Sequence, residues 1–290
     1  MKILILGRGK SGTTALLFKM AAGLADCQAF SGGYPARHQS LHGNAIFKYT
    51  YSERKGKTFE LYQQHLAEQP YDRKIWMARD PRDAAVSKML YRWHKGPKGS
   101  WRQFWQHLRL VEQKERQPHS IPFHVLCSYA GHGPWPLATE ALIEGERFRS
   151  QRMAEFVKNL GDDWFVFTYE DMVRGNFKAL NHYLGFEVHL EAEVPQTTKK
   201  SKVARKKAFG DWRNWFTPED VQLFKAAYLP YMEVIGYDCR DWQINPRPVI
   251  EPQFASLYMK SLVRKNALNK IRKFCTKIFA GTTHSSRPQQ

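Results

Sequence analysis

Acidic residues are in short supply. The 290-residue chain carries 27 Asp and Glu against 45 Lys and Arg, a formal net charge of +18 at pH 7. A surplus of that size favours anionic partners: nucleotides, acidic glycans, nucleic acid or an anionic membrane. Cysteine is scarce as well, and Cys27, Cys127, Cys239 and Cys275 lie far apart with no C-x-x-C pair. That spacing argues against a metal framework or a disulfide scaffold and leaves free thiols in a reducing compartment. No stretch approaches ~18 consecutive apolar residues, so no spanning helix is expected. The apolar start, Ile3 to Leu6, is shorter than the apolar region of a signal peptide. A cytoplasmic protein, at most peripheral at the inner face of a membrane, is the expectation. The length suits one large α/β domain or a domain with an appendage.

What is present is organised around Gly7-Arg8-Gly9-Lys10-Ser11-Gly12-Thr13-Thr14, directly after Ile3-Leu4-Ile5-Leu6. The apolar run ended by glycines reads as a buried strand, and Leu16, Leu17, Met20, Ala21 and Leu24 then share one helix face. Strand, glycine-rich turn and helix start form a nest of N–H groups suited to phosphate. An ordinary tight turn is the competing reading. A Walker A loop needs Lys and Ser/Thr directly after its last glycine; here Thr13 and Thr14 follow Gly12, and Lys10 precedes it.

A second stretch follows the strand pattern Lys74 to Ala78. Asp80 reads as a helix N-cap, Pro81 as the first helical residue and Asp83 as a capping-box carboxylate. Arg79 thus falls at the carboxyl end of a strand, where open α/β sheets bind ligands, with Ser87 two turns into the helix behind it. An arginine fork suits a terminal phosphate; pairing of Arg79 with Asp83 is the alternative. Tyr91 to Pro136, with Trp93, Trp101, Trp105 and Trp135, is helical without a strand and reads as an acceptor-binding cap or as core packing. Glu144 to Leu160 reads as a helix and Trp164 to Thr168 as a fourth buried strand, ending at Tyr169-Glu170-Asp171-Met172. The basic run from Lys199 through Arg205, Lys206 and Lys207 precedes Gly210-Asp211-Trp212-Arg213-Asn214. Thr217-Pro218-Glu219-Asp220 then caps another helix. Phe30 to Gly43 reads as loop, and Ala45 to Tyr49 as the second strand.

In order, these stretches resemble the sulfotransferases that use 3'-phosphoadenosine 5'-phosphosulfate (PAPS), of the carbohydrate-directed or bacterial type. Lys10 to Thr14 is similar to the family's 5'-phosphosulfate loop, and Arg79 with Ser87 to its 3'-phosphate grip. Arg205 to Asn214 is similar to its Arg-Lys-Gly-x-x-Gly-Asp-Trp-Lys-Asn signature, with Lys207 in place of the first glycine and Arg213 in place of the lysine. The resemblance implies a P-loop-like three-layer α/β/α fold with a central parallel sheet; to this the aromatic stretch adds helical acceptor-binding insertions and the spacing after Pro246 a C-terminal basic helix. It implies PAPS as cofactor, no metal, and a carbohydrate or glycolipid acceptor. Arg8, Gly9, Lys10, Ser11, Gly12, Thr13, Thr14, Arg79, Ser87, Tyr169, Arg205, Lys206 and Lys207 would hold the cofactor. Lys10 would neutralise the leaving phosphate and Tyr169 would lie beside the adenine. Cytosolic members place Lys-Thr-His after the second strand; here Lys48-Tyr49-Thr50 stands there, so Lys48 matches and Thr50 takes the histidine position. Carbohydrate-directed members often use a glutamate as base, which makes Glu53 the candidate, with His38, His42 and His132 behind it. Ala15 stands where many members carry a tryptophan that stacks on adenine.

The domain expectation is a sulfotransferase domain over 1–245, a basic amphipathic extension over 246–280 and a disordered tail over 281–290. The extension carries no acidic residue after Glu251, and its apolar residues recur at helical spacing. It suits an anionic membrane surface or a helix packed on the domain with a solvated basic face. Two other functions compete: a P-loop nucleotide kinase, against which Lys10's position argues, and a basic nucleic-acid-binding protein without sequence specificity.

Overall fold

The computed structural model describes residues 1–32, 43–52, 59–68, 70–97, 100–130, 137–195 and 206–264. Five parallel strands form one sheet: β1 (Lys2–Arg8), β2 (Gln28–Ser31), β3 (Ala45–Tyr51), β4 (Arg73–Ala78) and β5 (Trp164–Thr168), in the order β2-β3-β1-β4-β5. Helices α1 (Thr13–Gly23), α2 (Phe59–Glu68) and α3 (Pro81–Leu90) alternate with the first strands. Then come α4 (Trp101–Arg116), α5 (Phe123–Cys127), α6 (Thr139–Lys158), α7 (Tyr169–Arg174), α8 (Lys178–Leu184), α9 (Trp212–Trp215) and α10 (Pro218–Val234). The α/β fold with a central parallel sheet is the one the sequence implies.

Alternation along β1 explains the layers. Ile3 and Ile5 point to one face and pack with Leu16, Leu17 and Met20 of α1 and Leu180 and Leu184 of α8. Leu4 and Leu6 point to the other, beside Trp76 of β4, where Met153 and Phe156 of α6 and Tyr231 of α10 cover them. A parallel strand covered on both faces needs apolar residues at every position, which is why β1 reads as an unbroken run. Away from the sheet, a third cluster joins α3, α4, α5, α9 and α10 through Met89, Phe104, Phe123, Trp212 and Phe224.

Four expectations are corrected. Phe30 and Ser31, expected to open a loop, end an edge strand that begins at Gln28; three of its four residues are exposed, so it carries no apolar run to betray it. The strand Trp164–Thr168 lies on the opposite edge, and Val166 is 40 % exposed rather than buried. The helix expected from Glu144 begins at Thr139. Asp83 closes no capping box: Asp80 alone caps α3, accepting from the Arg82 N–H, while Asp83 reaches elsewhere. By contrast Thr217 and Asp220 do form the reciprocal capping box on α10.

The start of the basic extension is helical over 256–264, and Ala255, Tyr258, Met259, Leu262 and Val263 join the third core cluster. The rest of that extension and the tail lie outside the described residues. Among the described residues no helix is long and apolar enough to cross a membrane.

Candidate nucleotide-binding cleft

Register brings the informative residues to one sheet edge. Gly7 pairs with Thr50 of β3 on one side and Met77 of β4 on the other, and Ala78 pairs with Thr168 of β5. The loop after β1, Lys48 and Thr50 near the end of β3, Arg79 after β4 and Tyr169 after β5 therefore share the carboxyl edge of the sheet. A cleft of about 400 Å³ opens there. Its walls include Gly9, Lys10, Gly12, Thr13, Thr14 and Ala15 of the loop, Lys48 and Thr50, Arg79, Asp83 and Ser87, Tyr169, and Lys206, Lys207, Ala208 and Asp211.

Gly12 starts α1 with φ of 92°, and a Cβ there would stand 2.7 Å from Tyr169 Cδ2. Only glycine satisfies both conditions. Lys10 holds φ of 80° without being glycine, which turns its carbonyl toward Arg79 Nη1 at 3.0 Å. Its ammonium lies 3.9 Å from the centre of the Tyr91 ring. The Arg79 guanidinium also lies over the Tyr169 ring at 4.2 Å, while its Nε is buried with no partner among the described residues. Tyr169 thus supports Arg79 and packs against Gly12. Lys48 donates to Thr50 Oγ1 at 3.1 Å and is buried.

The third stretch closes the cleft. Lys206 bridges Asp211 at 3.0 Å and Glu251 at 3.3 Å; burial opposes its charge, but the two carboxylates outweigh that and raise its pKa. Lys207, where the resembling signature has glycine, takes the left-handed φ of 50° that glycine favours, and pairs with Glu193 at 2.7 Å. The backbone turn survives the replacement at the cost of some strain.

Two expected cofactor residues are placed differently. Arg8, the last residue of β1, does not line the cleft; its Nη2 meets Glu146 Oε2 at 2.8 Å inside the protein. Burial works against the Arg8 charge, yet Glu146 outweighs it and raises the pKa. Ser11 is buried and its hydroxyl donates to the Arg8 carbonyl at 2.7 Å, so it locks the loop rather than facing the cleft. Glu53 and Arg205, like His38, His42 and His132, lie outside the described residues.

Residues with no signal in the sequence complete the walls. Phe254 and Tyr258 reach the cleft from the extension, well beyond the third stretch in the chain, and Tyr91 from the end of α3. These three aromatic residues share the cleft wall with Ala15.

No family model matches the chain, and no curated protein sequence matches it. Among solved structures, the mouse sulfotransferase SULT7A1 complexed with PAP is similar over 80 % of this chain and 83 % of that one, with 15 % sequence identity and a TM-score of 0.47.

Proposed function

We propose that the protein is a PAPS-dependent sulfotransferase that moves a sulfuryl group to a hydroxyl or amine of a carbohydrate or glycolipid. One observation carries the reading. Residues from three separated stretches, Lys10 to Thr14, Arg79 with Ser87, and Lys206 with Lys207, line a single cleft. The fit rests on the donor set: five cationic side chains and a backbone nest suit a ligand with phosphate at both ends.

PAPS supplies an activated sulfuryl group for in-line displacement. The chain's own part is positioning and cation supply, as in phosphoryl transfer. Gly12, Thr13 and Thr14 would present N–H and hydroxyl donors at the start of α1. Lys10, held over Tyr91, would set a positive charge beside the leaving phosphate, with Lys48 as a second cation on the neighbouring strand. Arg79 and Ser87 would take the other phosphate. Phe254 and Tyr258 offer ring faces to a purine. Glu53 remains the proposed base.

Calorimetry with adenosine 3',5'-bisphosphate against ATP-Mg²⁺ tests the proposal. Micromolar binding of the bisphosphate and weak binding of ATP is the expected result. Preference for ATP-Mg²⁺ would favour a kinase and overturn the reading. For the membrane, the basic residues of the extension supply the attraction. Removal of 265–290, which spares the packed residues up to Val263, is expected to weaken sedimentation with phosphatidylserine vesicles at low salt. Unchanged sedimentation would dismiss that contact.

A further inference from the structure

Both oxygens of Asp83 hold one stretch of backbone. Oδ2 accepts the Gly210 N–H at 2.6 Å and Oδ1 the Trp212 N–H at 3.0 Å, so this side chain on α3 fixes the segment that follows Lys206, Lys207 and Ala208. Asp83 is only 2 % exposed, yet it belongs to the cleft wall with Arg79. Arg79 and Asp80 act on it from its own side. Elsewhere around the cleft stand Lys10, Lys48, Lys206, Lys207 and Asp211. Glu170 of α7 stands behind Asp80, whose N–H it accepts. A buried carboxylate is out of place in a cleft built for phosphate. An anion on Arg79 would engage the cation that favours the charged carboxylate and set like charges together at low dielectric.

We infer that Asp83 is a positioning residue that couples anion binding at Arg79 to the placement of residues 206–212, and that it takes up a proton when a phosphate group enters the cleft. The inference rests on reading the cleft as a nucleotide-phosphate site. The proton comes from solvent and adds to the carboxylate. The resulting acid keeps one good acceptor oxygen, so one of the two backbone N–H groups is released and the segment carrying Lys206 is freed to adjust. Burial and then Asp80 push the Asp83 carboxyl up to about 7, against the pull of Arg79 and the two N–H groups. The exchange therefore costs little near neutral pH. Because the bound form holds its proton more tightly, affinity is full below about pH 7 and declines as pH rises beyond it.

Calorimetry of the full chain with adenosine 3',5'-bisphosphate, in buffers of different ionisation enthalpy at about pH 7.5, reads the proton directly. The expected uptake is about 0.7 proton per site in the wild type and near zero in Asp83→Asn. Wild-type affinity is expected to fall about tenfold between about pH 7 and about pH 8.5, with a flat profile in the variant. Over that range the ligand only gains negative charge, which favours a cationic cleft, so ligand ionisation does not produce the fall. Faster hydrogen exchange at the Gly210 and Trp212 amides of Asp83→Asn reports the loosened segment. Should the variant fail to fold, the wild-type pH series decides alone. Equal proton uptake in both proteins, or a wild-type affinity that does not fall, overturns this inference and leaves the nucleotide reading standing. Absence of bisphosphate binding at every pH overturns both.

Discussion

Arg79→Ala is expected to weaken binding of adenosine 3',5'-bisphosphate by about two to four orders of magnitude while the protein stays folded. The side chain is already aimed before any ligand arrives. Its Nη1 donates to the Lys10 carbonyl at 3.0 Å and its plane lies over the Tyr169 ring at 4.2 Å. A phosphate would meet a fork that has lost its freedom beforehand, and each charge-assisted hydrogen bond is worth roughly 1.5–3 kcal/mol. Two such bonds, at about 1.4 kcal/mol per tenfold, give the stated loss. Folding depends on Arg79 much less. The variant forfeits one hydrogen bond to a carbonyl and one cation–π contact, about 1–3 kcal/mol together. Arg79→Lys keeps the charge without the fork and should fall between the two. Calorimetry beside a thermal melt separates the effects. Binding by Arg79→Ala within threefold of wild type would remove Arg79 from the site.

The second large effect lies behind the cleft, in stability. Glu146 on α6 receives Lys88 at 2.9 Å and Arg149 at 2.7 Å on one oxygen and Arg8 at 2.8 Å on the other. It thereby ties α6 to α3 and to the end of β1, with its own side chain only 5 % exposed. Glu146→Gln would leave three cations around a neutral amide. Breaking a buried pair in this way costs about 3–5 kcal/mol, which lowers the melting temperature by on the order of 10 °C. Burial opposes ionisation of Glu146, yet Lys88, Arg8 and Arg149 hold its carboxyl well below the usual range. Its contribution is present above the unfolded value of about 4.3 and fades as pH falls from there toward the lower folded value. Melts of the two proteins are therefore expected to differ most at neutral pH and to converge in acid. Equal melting temperatures at neutral pH would show that the cluster contributes nothing.

These two arginines show where the sequence stops being informative. Both belong to conspicuous stretches, and both stand at strand ends. Arg79 follows a strand whose register with β1 puts it beside the Lys10 loop, and that much is implied by a strand followed by a capped helix. Arg8 sits inside the glycine-rich stretch itself, yet its partner is 138 residues away on another helix. Local pattern carries no information about such a partner. Asp83 repeats the lesson. Its position after Asp80 spells a capping box, but the N–H groups it accepts belong to residues more than 120 positions later.

By itself the sequence determined the local units. It specified the unbroken apolar strand, the glycine-rich loop that follows it, the caps on α3 and α10, and the cationic excess. Each follows from periodicity, backbone sterics or net charge, which act over a few residues or over the whole chain. Tertiary structure alone decided which cations face the cleft and which are spent on a buried carboxylate, and it brought Phe254 and Tyr258 to the cleft wall. Those outcomes depend on how helices dock on a finished sheet, where side chains distant in sequence compete for the same few partners.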